Sequence, residues 1–117
     1  MKSLSIIFVV LFATFSMNAQ QDLAGIWNTG EDNTKIEITE DAGVFKGKIL
    51  SSDNAKAKIG TQIIKDVKLS NGEYKGKLYA AKRGEWYDVV LKENSSQLDI
   101  TIKVGWMTKT VEWKKNN

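Results

Sequence analysis

The chain has 117 residues, with 17 Lys or Arg against 14 Asp or Glu and a formal charge of +3. That length fits one domain. It contains no cysteine, histidine or proline, which excludes disulfides, thiolate nucleophiles, zinc fingers and every catalytic arrangement built on an imidazole base.

The first nineteen residues read as an export leader. Lys2 is a short basic start, Ile6-Ile7-Phe8-Val9-Val10-Leu11-Phe12-Ala13 is the apolar run, and Ser16-Met17-Asn18-Ala19 is a small, polar stretch suited to signal peptidase. Cleavage is expected after Ala19, leaving residues 20–117 as one domain in the periplasm or outside the cell. The apolar run is shorter than the roughly twenty residues a spanning helix needs, and no cysteine follows it for a lipid anchor. No membrane span is therefore expected after cleavage. Loss of Lys2 lowers the charge to +2, too little for a nucleic-acid partner.

From Ile26 onward the apolar residues recur with period two between turn signals, which predicts strands. Gly25-Ile26-Trp27 opens the first, and Ile36 and Ile38 carry the second. Phe45, Gly47 and Ile49 share one face of the third, with Lys46 and Lys48 on the other. Residues 51–62 are polar and read as the longest loop, with a short helical turn over 55–66 as a disfavoured option. Val67 and Leu69 form the next strand, which ends at Asn71-Gly72, the strongest hairpin signal present. Tyr74, Gly76, Leu78 and Ala80 follow, then a turn at Lys82-Arg83-Gly84. Tyr87, Val89 and Leu91 make one more strand, Leu98, Ile100, Ile102 and Val104 another, and Val111 with Trp113 the last.

Two segments echo one another. Both Val44-Phe45-Lys46-Gly47-Lys48-Ile49 and Glu73-Tyr74-Lys75-Gly76-Lys77-Leu78 run aromatic-Lys-Gly-Lys-aliphatic after a glycine turn. Gly47 and Gly76 fall on the aromatic face, where a missing Cβ permits bending or close approach. An open sheet of about eight strands would leave exposed edges with no helix to cover them. The expectation is an all-β fold, a small antiparallel meander closing into a lipocalin-like barrel of about eight strands.

Five aromatic residues are candidates for holding a small amphipathic ligand at the barrel mouth: Trp27, Tyr79, Trp86, Tyr87 and Trp106. A Trp in the first strand also serves simply to plug one end of a barrel. If Tyr87 faces inward with Val89 and Leu91, Trp86 faces out. Trp106 and Met107 lie in or beside a turn and form a second rim candidate. Lys46, Lys48, Lys75 and Lys77 point outward; on neighbouring strands they would form a basic face for an acidic glycan or headgroup, and otherwise a solvated surface that discourages edge association. Of the acids, Glu85, Asp88, Asp99 and Glu112 show no pairing of the kind glycoside hydrolysis requires. Asp53 and Asp66 lack the repeating spacing of a calcium loop. No metal, cofactor or catalysis is expected. The function expected is non-catalytic binding of a small amphipathic ligand, with a surface module for an envelope glycan or protein as the alternative and a carboxylate hydrolase as the third class.

The ordered set Gly25-Ile26-Trp27, Phe45-Lys46-Gly47-Lys48-Ile49, Asp53-Asn54, Gly60-Thr61-Gln62-Ile63-Ile64, Gly76-Lys77-Leu78-Tyr79, Gly84-Glu85-Trp86-Tyr87, Val104-Gly105-Trp106 and Lys109-Thr110-Val111-Glu112-Trp113 resembles the domain of unknown function (DUF) 2147 family. The resemblance covers roughly residues 23–115 and implies an exported, lipocalin-like β domain with no assigned activity. Ala80-Ala81 stands where the family often has Asp-Pro, and Lys114 replaces its closing Arg. The opening Gly25-Ile26-Trp27-Asn28 is also similar to the start of lipocalins and avidins, although the later tryptophans of the avidin pattern do not follow.

Overall fold

A computed structural model describes residues 22–116. The leader assigned to residues 1–19 lies outside the described residues. Eight strands follow one another: β1 (Gly25–Asn28), β2 (Lys35–Asp41), β3 (Val44–Ser51), β4 (Gln62–Ser70), β5 (Glu73–Ala80), β6 (Glu85–Asn94), β7 (Gln97–Val104) and β8 (Met107–Lys115). Each pairs antiparallel with the next, and β8 returns to β1, so the sheet is a closed barrel. Closure satisfies both edges without any covering helix.

The turns follow from local chemistry. Ala42-Gly43 and Asn71-Gly72 both take positive φ at the two central positions (54° and 85°, 52° and 82°), as tight two-residue hairpins with the right twist require. Because neighbours are antiparallel, the connections β1–β2, β3–β4, β5–β6 and β7–β8 gather at one end, here the loop end. The remaining turns, the start of β1 and the end of β8 gather at the other, the terminus end.

Inside lies a wholly apolar core. Trp27, Ile36, Ile38, Phe45, Ile64, Val67, Val89, Leu91, Leu98, Ile100 and Trp113 are buried, together with Leu23 from the segment before β1. No buried polar or charged side chain occurs among the described residues. The two echoing strands meet across this core: Phe45 and Tyr74 stack edge to face, with centroids 5.6 Å apart and an interplanar angle of 89°.

The central loop is shorter than the sequence indicates. Residues 52–61 form turns and bends with no helical turn, and β4 already begins at Gln62 rather than near Val67. The cause is a β-bulge. Asp66 takes φ 57°, and the β4–β5 register shifts between Lys65 and Lys68. The extra residue lets both Ile64 and Val67 face the core despite their odd spacing. Gly76 lies across from it. A Cβ there would sit 2.8 Å from the Lys65 carbonyl oxygen and 2.8 Å from Val67 Cα, so only glycine lets β5 approach the bulged strand.

Candidate functional site

The aromatic candidates fall into three environments. Trp27 is fully buried. Its indole Nε1 donates to the Leu23 carbonyl at 3.0 Å, and Lys115 Nζ lies 4.8 Å from its ring centroid. It therefore plugs the barrel and offers no surface to a ligand. Trp86 and Tyr79 stand opposite each other in the β5–β6 ladder on the outer wall, their centroids 5.2 Å apart, and Lys65 Nζ sits 4.2 Å above the Trp86 ring. Tyr87 pairs with Leu78 and faces inward with Val89 and Leu91. Trp106 is 91% exposed beside Gly105, whose φ of 63° turns β7 into β8.

Burial inside the barrel is graded along its length. On β7, Leu98 and Ile100 are buried, while Ile102 and Val104 beyond them are only half-buried. On β8 the same face runs from buried Trp113 through half-buried Val111 to exposed Lys109 and to Met107, which is 54% exposed. On β6, Val89 is buried and Tyr87, one step nearer the loop end, is not. Leu78 on β5 is likewise half-buried. Leu23 and Trp27 thus cover the terminus end on its β1 side, where Leu69 (59% exposed) and half-buried Tyr74 keep surface on the β4–β5 side, and the loop end presents an apolar, half-open mouth on its β5–β8 side. Lys109 is the cation on that inward face, and it forms no ion pair with any described residue. Met107 is already a rim candidate in the sequence; strict alternation back from Trp113 would have identified Lys109 as a mouth residue as well.

The basic face takes a different form from the one expected. β4 lies between β3 and β5, so Lys46 and Lys48 do not neighbour Lys75 and Lys77. The intervening strand supplies Lys65 and Lys68, which the sequence reading missed. In register, Lys65 faces Lys77 and Lys68 faces Lys75. Lys77 binds Asp88 at 2.5 Å, holding that carboxyl below its usual pKa through the hydrogen bond first and the charge of Lys77 second. Lys75 reaches Glu73 at 3.8 Å. Lys46, Lys48 and Lys68 form no ion pair with a described residue.

Beside this face a groove of about 190 Å³ opens on the outer wall, between Glu37 and Thr39 of β2, Lys46 and Lys48 of β3, and Gly60 and Gln62. A second groove of about 160 Å³ lies by Glu73, Val90 and Lys92. No group of three or more acids placed to hold a metal ion occurs among the described residues.

A family model described as "Uncharacterized protein conserved in bacteria (DUF2147)" matches residues 25–115. No curated protein and no solved structure matches the chain.

Proposed function

The chain belongs to the DUF2147 family, and on that premise we propose that it is an exported, non-catalytic binding protein that holds a small amphipathic molecule at the loop end of its barrel. The observation that carries this reading is the burial gradient. Apolar side chains pointing into a barrel are normally covered; here Leu78, Tyr87, Ile102, Val111 and Met107, on four consecutive strands, keep accessible surface together at the loop end. Covering such surface is favourable by about 25 cal/mol per Å².

Because the interior below is packed with Val89, Ile100 and Trp113, the ligand rests in the mouth and does not pass through the barrel. Lys109 on the same face favours an anionic head, with the tail laid against Tyr87 and Ile102. Trp106 at the rim closes over the bound molecule and reports it. The leader-like residues 1–19 support an exported setting.

Titration with palmitate and with its uncharged methyl ester, followed by calorimetry and tryptophan emission, tests the proposal. Saturable palmitate binding is expected, weaker for the ester. Tyr87→Ala and Lys109→Glu should each reduce it, while Trp106→Phe should abolish most of the emission change and leave the heat of binding. Absence of saturable binding, or binding indifferent to Tyr87→Ala and Lys109→Glu, overturns it.

A further inference from the structure

We infer that the outer wall formed by β3, β4 and β5 is a second, separate binding face, for an acidic polysaccharide lying across the strands. Charge is concentrated there. These three strands carry six lysines against Asp66 and Glu73, a net +4, whereas the whole chain carries only +3. The remainder is therefore slightly acidic, and the wall is a distinct basic region of the molecule.

The placement of the lysines costs the fold something. Lys65 opposite Lys77 and Lys68 opposite Lys75 are like charges directly across a ladder, an arrangement that destabilises a sheet. The bulge at Asp66 creates it, because it returns Lys68 to the outer face beside Lys75. Asp88 neutralises Lys77 in part, and the Trp86 ring holds Lys65 upright over its face. Lys46, Lys48 and Lys68 form no ion pair among the described residues. Strands lie about 4.8 Å apart, so the lysines repeat across the wall at a spacing that can follow charges along an extended polymer.

Two features favour a sugar polymer over an anionic bilayer. The groove beside Lys46 and Lys48 is lined by Glu37, Thr39 and Gln62, hydrogen-bonding groups that suit the hydroxyls a sugar polymer carries between its charges. The exposed large apolar side chains, Trp106, Ile59, Leu69, Met107, Val44 and Leu50, sit at the barrel ends, in the β3–β4 loop or at the two ends of β3. The middle of the wall thus lacks an apolar anchor for insertion into lipid.

Alginate, a polyuronate, is the probe, with dextran as the uncharged sugar and phosphatidylglycerol vesicles as the lipid surface; binding is read by calorimetry and co-sedimentation. Alginate alone should bind, and raising salt from about 0.05 to about 0.5 M should weaken it strongly. The double variant Lys46→Glu/Lys68→Glu should lose about tenfold or more in affinity, and Lys68→Gln alone a smaller factor, with circular dichroism unchanged. Tyr87→Ala, in the mouth, should leave alginate binding as it is, which separates this face from the proposed ligand mouth. No alginate binding, equal dextran binding, vesicle binding without alginate binding, or affinity unchanged in the double variant each overturns the inference.

Discussion

Gly47 and Gly76 occupy equivalent places in the two echoing strands, yet they answer to different constraints. A Cβ on Gly47 would meet Ile36 Cγ2 and Ile64 Cβ at 3.2 Å and Ile38 Cγ1 at 3.3 Å, side-chain atoms that can yield by a few tenths of an ångström. At Gly76 the obstructing atoms include the Lys65 carbonyl oxygen and Val67 Cα, which belong to the bulge and cannot move without it. Gly76→Ala should therefore cost about 1–3 kcal/mol, the range of overpacked cores, and Gly47→Ala clearly less; urea denaturation midpoints of the two variants test the order. Asp88 offers a titration at the same scale. Its pKa is lowered in the folded state by Lys77, so its stabilising effect is present above the ordinary carboxylate range and disappears as pH falls through the lowered value. The group is fully exposed, so the effect on stability is small. The titration itself is the readout. In an NMR pH series the Asp88 carboxyl should titrate below the ordinary carboxylate range, and Lys77→Met should move it back up.

At the scale of elements, the short segment before β1 acts as a lid on the terminus end. Leu23 is fully buried although it belongs to no strand, and its carbonyl accepts from the Trp27 indole. Leu23→Ala should cost about 2–5 kcal/mol, as for other fully buried leucines, and should raise Trp27 emission toward that of an exposed indole in parallel with the loss of stability measured by urea. Such a lid has no periodic signature, so the sequence pointed to Trp27 as a plug without showing what sits on it. The hairpins were legible: Asn71-Gly72 fixes its turn through positive φ at both positions, and alternation placed Tyr87 inward and Trp86 outward. What alternation could not carry was a bulge. Asp66 is an ordinary polar residue to a pattern of period two, and its insertion shifts Ile64 out of phase with Val67. That left the first half of β4, ahead of Val67, outside any predicted strand and hid Lys65 and Lys68 from the basic face. Candidate residues whose place follows from alternation alone could be read; those whose place depends on a register shift could not.

For the molecule as a whole, closure is the step on which everything else depends, and it is made at the weakest joint. β1 has four residues and meets β8 through only two register pairs, Trp27 with Lys115 and Asn28 with Lys114, whereas β7 and β8 are paired along eight. Three further contacts reinforce the seam: the Asn116 amide donates to the Ile26 carbonyl at 2.9 Å, Lys115 Nζ donates to the Ala24 carbonyl at 3.1 Å, and the same ammonium lies over the Trp27 ring. Lys115 thus ties the end of β8 to the segment just before β1, 91 positions away in sequence, and Gly25 admits it, since a Cβ there would meet the Lys115 side chain. Local opening starts where few hydrogen bonds must break, so the barrel should open at β1–β8 and stay closed across β6–β7. Native-state hydrogen exchange should show amides of β1 and the last turn of pairing in β8 exchanging well before those of Val89, Leu91 and Ile100. Lys115→Met should widen that gap by accelerating the seam alone. Equal protection around the barrel, or acceleration spread evenly by Lys115→Met, would mean that the seam is not the joint at which the barrel opens and that Lys115 does not hold it.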